Sequence, residues 1–180
     1  TRVRSSAASD VYKRQDVQIA QSSDVISLAS SLGIHFGFVR NDFDWREDER
    51  VLLTTNHVCA VAAQPFKLED LPHMVRVDYD TDQYYQNLLD GWWHETFEDS
   101  PIIGTRVSNL DLCKEMVFNG LGYGILPSIL IEEYPQLYSI PLLHKNGSKL
   151  ERKTWLIYKK ELLDLRLPKV FLEFVIDSDF

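Results

Sequence analysis

Gly120-Leu121-Gly122-Tyr123-Gly124-Ile125-Leu126-Pro127 is the stretch on which the fold of this 180-residue chain turns. Before it, Leu110, Cys113, Met116 and Val117 repeat at helical spacing, and Ser108 or Asn109 offers the cap. Gly120 can end that helix in the left-handed region, and Gly122 and Gly124 let backbone approach a neighbour closely. Tyr123 to Leu126 reads as a brief buried strand, and Pro127-Ser128 as the start of a further helix to about Tyr134. A glycine run that leaves a helix and enters a strand has the reverse context of a dinucleotide-binding loop.

Working outward, the same pattern repeats upstream. Met74 to Tyr79 is a strand. Asp80-Thr81-Asp82 caps a helix reaching about Phe97, whose apolar stripe is Tyr85, Leu88, Leu89, Trp92 and Trp93. Ser100-Pro101 breaks it, and Ile102 to Val107 is the next strand. Downstream come a strand over Leu137 to Leu143, an Asn146-Gly147 turn, a strand over Thr154 to Lys159, and a last helix opened by Leu167-Pro168, with Phe171, Phe174 and Val175 on one face.

The first part of the chain reads in the same alphabet. Val17 to Ala20 is a short strand candidate. Val25, Ile26, Leu28, Ala29 and Leu32 follow at helical spacing, with Gly33 expected at C′. Ile34 to Val39, apolar at nearly every position, suits a strand buried on both faces of a parallel sheet, so a β-α-β unit is expected over Val17 to Val39. After a polar loop from Arg40 to Glu49, two strands are expected, Arg50 to Leu53 and His57 to Ala63, then a connector from Pro65 to Pro72. Thr1 to Gln15 (TRVRSSAASDVYKRQ) lacks either periodicity and resembles translated adaptor sequence. It is read as a non-native, loosely ordered leader, in which case the native chain extends before Asp16.

Composition narrows the function classes. With 44% hydrophobic and 12% aromatic residues the chain can build a core. No stretch approaches the roughly 18–20 uninterrupted apolar residues of a membrane helix, and no signal-peptide pattern is visible, so a cytoplasmic protein is expected. Residues 16–180 hold fifteen Lys and Arg against twenty-six Asp and Glu, which repels a phosphate backbone. Cys59 and Cys113 read as buried reduced thiols, with a disulfide or reactive thiol as the alternative. His35, His57, His73, His94 and His144 have no partners at metal-ligand spacing, and no catalytic motif is found. No metal, no cofactor and no enzymatic activity are therefore expected. Asp42, Asp44, Glu47, Asp48 and Glu49 read as a solvated loop.

Taken in order, these parts resemble the effector-binding domain of LysR-type transcription regulators. The glycine run is similar to that family's G-x-G-[IV]-[AG]-x-[LI]-P signature. Ile34 to Arg40 (IHFGFVR) resembles a first-lobe strand, with His35 where the family has Asp. Leu52 to Ala63 resembles the strands before the crossover, Phe66 to Leu71 the linker, and Thr154 to Val175 the return strand and final helix. The resemblance spans about Asp16 to Ile176. It implies an α/β, two-lobed type 2 periplasmic-binding-protein-like fold with the first lobe incomplete and its sheet left with an unpaired edge. Lobe I would comprise 16–64 and 153–178, and lobe II 65–152. It also implies a small-molecule effector, a homodimer or tetramer, and contact with DNA only through a missing N-terminal domain. A solute-binding protein of the same fold, serving a transporter, is the alternative.

In such a fold the ligand sits between the lobes, outside the carboxyl ends of strands. Gln21, Ser22 and Ser23 follow the first strand, either as ligand contacts or as a plain cap. Arg40 and Asn41 follow the second; Arg40 could clamp a carboxylate or pair with Asp42 or Asp44. Asp78, Tyr79, Asp80 and Thr81 follow the first strand of lobe II, and their acids favour a neutral or amine-bearing ligand. Ser108 and Asn109 are contacts or caps. Gly122 and Gly124 are read as packing positions first and points of ligand approach second.

Overall fold

The computed structural model describes residues 16–41, 43 and 49–178. Its elements in chain order are α1 (Ser22–Ser30), β1 (Phe36–Arg40), β2 (Glu49–Ala62), β3 (Val75–Tyr79), α2 (Gln83–Thr96), β4 (Ile102–Val107), α3 (Leu110–Phe118), β5 (Tyr123–Pro127), β6 (Tyr138–Pro141), β7 (Glu151–Tyr158) and α4 (Arg166–Ile176). Short 3₁₀ turns lie at Leu68–His73, Ser128–Leu130 and Lys160–Asp164. The strands run in the order β1-β7-β2-β5-β3-β4, with β6 also on β2.

Two packing units share this sheet. In the first, β7 lies between β1 and β2 and is antiparallel to both. One face packs Val39, Ile157 and Phe43 against Ala29 of α1, and the other packs Leu156 and Tyr158 against Leu172 and Val175 of α4. In the second, β3 runs parallel to β4 and β5, as β-α-β crossovers through α2 and α3 require. Its larger core joins Tyr85, Leu89, Trp92 and Trp93 of α2, Cys113 and Val117 of α3, and β2 from Val58 to Ala62. Strand β2 belongs to both units: its first part pairs with β7 up to His57↔Glu151, and from Val58 it pairs with β5. The C-terminal strand thus rejoins the first sheet, as the two-lobed reading requires.

Several expectations are corrected. Val17 to Ala20 forms no strand; Val17 and Ile19 are 81% and 100% exposed, with no ladder partner among the described residues. The β-α-β unit therefore lacks its first strand. Strand β1 is not buried on both faces of a parallel sheet. It pairs only with β7, and Phe38 is exposed, so its other edge is open among the described residues, as an incomplete first lobe implies. Leu32, not Gly33, takes the left-handed position after α1, with φ 58°. Its N–H donates to Ala29 O and that of Gly33 to Leu28 O, the two bonds of a Schellman ending.

The two strands expected around Thr54-Thr55-Asn56 are one 14-residue strand with a register irregularity between Leu52 and Thr54. The helix expected from Ser128 to Tyr134 is only a 3₁₀ turn at Ser128–Leu130, followed by turns up to Pro135. Phe174 is exposed, and the packed face of α4 is Phe171, Leu172 and Val175. Trp92 and Trp93 are core residues whose indole N–H groups donate to Leu143 O and Asp99 O.

The caps behave as read. Asp82 Oδ1 accepts from Tyr85 N–H at 2.9 Å, and Asn109 Oδ1 from Leu112 N–H at 2.9 Å. Gly120, at φ 78°, ends α3. Cys59 and Cys113 are free and buried. Burial raises both thiols, Cys113 up to about 12. Both are expected to resist iodoacetamide at about pH 8 in the folded chain and to react together on unfolding. Mass spectrometry showing Cys113 labelled before unfolding would contradict this packing.

Candidate functional site

The candidate site lies at the end of β1, beside β7 and the first turns of α2. β1 ends on Arg40, opposite Thr154 of β7. Its backbone N–H donates to Ser22 Oγ at 3.2 Å, which ties the first turn of α1 to the strand end. Ser22 is buried, whereas Gln21 and Ser23 are exposed. Gln21 caps α1 only through its carbonyl, which accepts from the N–H groups of Asp24 and Val25.

Asn41 turns the chain with φ 70°, a left-handed conformation that Asn tolerates better than most residues, and its N–H donates to Lys153 O. The side chain is 5% exposed, and neither its amide nitrogen nor its oxygen has a hydrogen-bond partner. It lines a cleft of about 280 Å³ with Tyr84, Asn87, Leu88, Glu151 and Lys153.

From the second unit come Tyr79, Asp82 and Tyr85, all buried. Tyr79 Oη donates to Ile125 O at 3.3 Å. Tyr85 Oη is buried without a well-aligned partner, and its ring lies beneath the Arg152 guanidinium at 4.8 Å. Arg40 lies within electrostatic reach of Arg152, Asp82, Tyr79 and Tyr85. Its proton affinity is lowered, first by burial and then by Arg152, with Asp82 and the tyrosines opposing.

Ser22 thus bonds the Arg40 backbone, Asn41 follows it, and Tyr79 lies within its electrostatic reach from the second core. Asp80 is exposed beside it, with its N–H on Val107 O, and Thr81 is half-buried. Ser108 and Asn109 are exposed at the start of α3, where Asn109 acts as a cap. Gly122 and Gly124 sit in packing. A Cβ on Gly122 would collide with Val75 O, and one on Gly124 would meet Val117 Cγ2 at 3.0 Å and Cys113 Sγ at 3.2 Å.

The acids of β3 do not act as expected. Asp78 is spent inside the sheet, bound at 2.7 Å by Arg76 and at 2.7 Å by Arg106. It opposes no ligand. Asp42 and Asp44, the expected partners of Arg40, lie outside the described residues, as does most of the acidic loop. Among the described residues no group of His, Cys, Asp and Glu could hold a metal.

Sequence reading missed Arg152, Tyr85 as a site residue, and the cleft wall of Tyr84, Asn87 and Glu151. Arg152 was placed just before the return strand. The signal that finds it is register: β7 starts at Glu151, so Arg152 lies two positions from Thr154 on the face shared with Arg40.

Two α/β units joined through shared strands, with a polar cleft at their seam, define the periplasmic-binding-protein-like fold of bacterial regulatory domains. The regulatory domain of HypT from Salmonella typhimurium superposes with a TM-score of 0.73 at 14% identity, covering 94% of this chain and 87% of that one. Full-length HypT, a hypochlorite-specific LysR-type transcriptional regulator, matches with a TM-score of 0.75 at 14% identity over 96% of this chain and 62% of its own.

The chain belongs to the LysR substrate binding domain family, whose model matches residues 9–179. It is 33% identical over 159 residues to the HTH-type transcriptional regulator YraN of Bacillus subtilis, covering 88% of this chain and 55% of that protein. The chain therefore spans about half the length of the curated relatives it matches. No described helix is long and apolar enough to cross a membrane.

Proposed function

We propose that this chain is the effector-sensing part of a cytoplasmic, DNA-binding transcription regulator. A small molecule binds between lobe I (16–64 and 153–178) and lobe II (65–152), and the chain has no catalytic role. The assembly is a homodimer or tetramer that meets DNA only through a domain outside this chain; the acidic surface of residues 16–180 suits it poorly to hold a phosphate backbone. Ser22, Arg40, Asn41 and Tyr79 form the centre of the ligand site. Gln21, Ser23, Asp80, Thr81, Ser108 and Asn109 stand at its rim, and Gly122 and Gly124 support it from within the second sheet. Ligand binding biases the relative setting of the two lobes. The solute-carrier reading of the fold gains no support, since both curated relatives are HTH-type regulators.

The observation that carries this reading is Asn41, a buried amide with no partner for either polar atom, set in a cleft between the two units. Such a group costs stability until something bonds it. Differential scanning fluorimetry of the chain against a panel of small metabolites tests the proposal. A true effector raises the Tm by about 3 °C or more at saturation. Asn41→Gly keeps the backbone conformation, should lose most of that shift, and should fold as well as the parent. A shift unchanged in Asn41→Gly would remove this cleft from the function.

A further inference from the structure

The ligand's chemical class can be read from the charges at the seam. Arg40 and Arg152 emerge from the same face of the β1-β7 pair, one opposite Thr154 and the other two positions along the same strand. Arg152 is 9% exposed, with a buried Nε that has no hydrogen-bond partner and its guanidinium held over the Tyr85 ring at 4.8 Å. Among the described residues, neither arginine forms an ion pair. Other arginines of the chain behave differently, since Arg76 and Arg106 both close on Asp78.

A largely buried guanidinium without a counterion is costly, and a second one beside it raises that cost. Arg40 is itself exposed, but its neighbourhood, with Arg152 close by, still lowers its proton affinity. Asp82 offsets only part, and its Oδ1 is already engaged by Tyr85 N–H. Arg40, Arg152 and Asp82 together leave one positive charge in excess. The Asn41 amide, with no partner for either polar atom, follows Arg40 in the chain.

We propose that the face of the β1-β7 pair bearing Arg40 and Arg152 takes a small carboxylate or other oxyanion, gripped between the two guanidinium groups beside the cleft that Asn41 lines. This rests on the effector-cleft reading above. Planar guanidinium forks match two-oxygen anions, and such an anion would supply a counter-charge that the described residues do not give Arg152.

Fluorimetry of the 180-residue chain with acetate, succinate, benzoate and sulfate tests it, against acetamide, succinamide and benzamide at equal ionic strength. At least one anion is expected to raise the Tm by about 3 °C or more while its amide does not. Arg152→Met and Arg40→Gln should each lose at least half of the anion's shift. Circular dichroism checks folding; if Arg152→Met does not fold, the partly exposed Arg40→Gln variant decides. Amides that match their acids, anion shifts that survive both substitutions, or no anion shift at all would overturn the assignment. If an uncharged metabolite shifts the parent but not Asn41→Gly, the oxyanion proposal falls while the sensing function stands.

Discussion

Replacing Asp78 by asparagine is expected to lower stability by about 3–5 kcal/mol, the usual cost of stranding a buried charge. Asp78 and Arg76 have side chains 3% and 2% exposed and meet at 2.7 Å. Arg106, 54% exposed, can turn to water when the carboxylate is gone; Arg76 cannot. Burial alone would push the Asp78 carboxyl up, but Arg76 and Arg106 outweigh it and hold the carboxyl below its ordinary range. Because the folded form binds its proton more weakly than the unfolded form, the stabilisation is full above about pH 4 and is lost as pH falls further. Urea titrations should show the variant's midpoint well below the parent's at pH 7 and converging on it in acid. Equal midpoints at pH 7 would mean that the buried triad contributes little.

Gly122→Ala is expected to cost about 3 kcal/mol or more, from two sources. The residue sits at φ 149°, a region L side chains rarely adopt, and its new Cβ would meet the Val75 carbonyl of the neighbouring strand. Gly120→Ala is the control. With φ 78° and nothing within 4 Å of a Cβ, it should lose only about 1–2 kcal/mol. Denaturant midpoints for the pair separate backbone strain from collision. Comparable losses would show that β5 can shift away from β3.

The second unit was the more legible part of the sequence. Its helices carry both a stripe and a cap, as with Asp82 and Asn109, and its strands are short apolar runs between breakers. Local chemistry decides each element there. The first unit was harder because its strand pairing is set by distant residues. Nothing near Val17 to Ala20 says that no partner strand lies beside it. Thr54-Thr55-Asn56 looks like an interruption, yet β7 supplies a ladder that carries the strand through. Leu32 accepts a left-handed backbone because the bonds ending α1 outweigh its preference. For the site, Arg40 and Asn41 could be named because they end a visible strand. Arg152 could not, since its role depends on an antiparallel register with β1. Asp78 misled because Arg76, two positions along the same strand, and Arg106, opposite it on β4, both close on its carboxylate.

Strands β2 and β7 lie antiparallel through eight paired positions and pass side by side toward the second sheet. A two-stranded ribbon of this kind resists stretching because its backbones are already extended, while its hydrogen bonds, perpendicular to the strands, tolerate a range of twist. Such a connection acts as a flat spring, one that would hold the separation of the two halves while allowing them to turn about its long axis. A guest wedged against Arg40 at one border of that spring and Arg152 within it would be felt as a change of angle, without any rearrangement of either core.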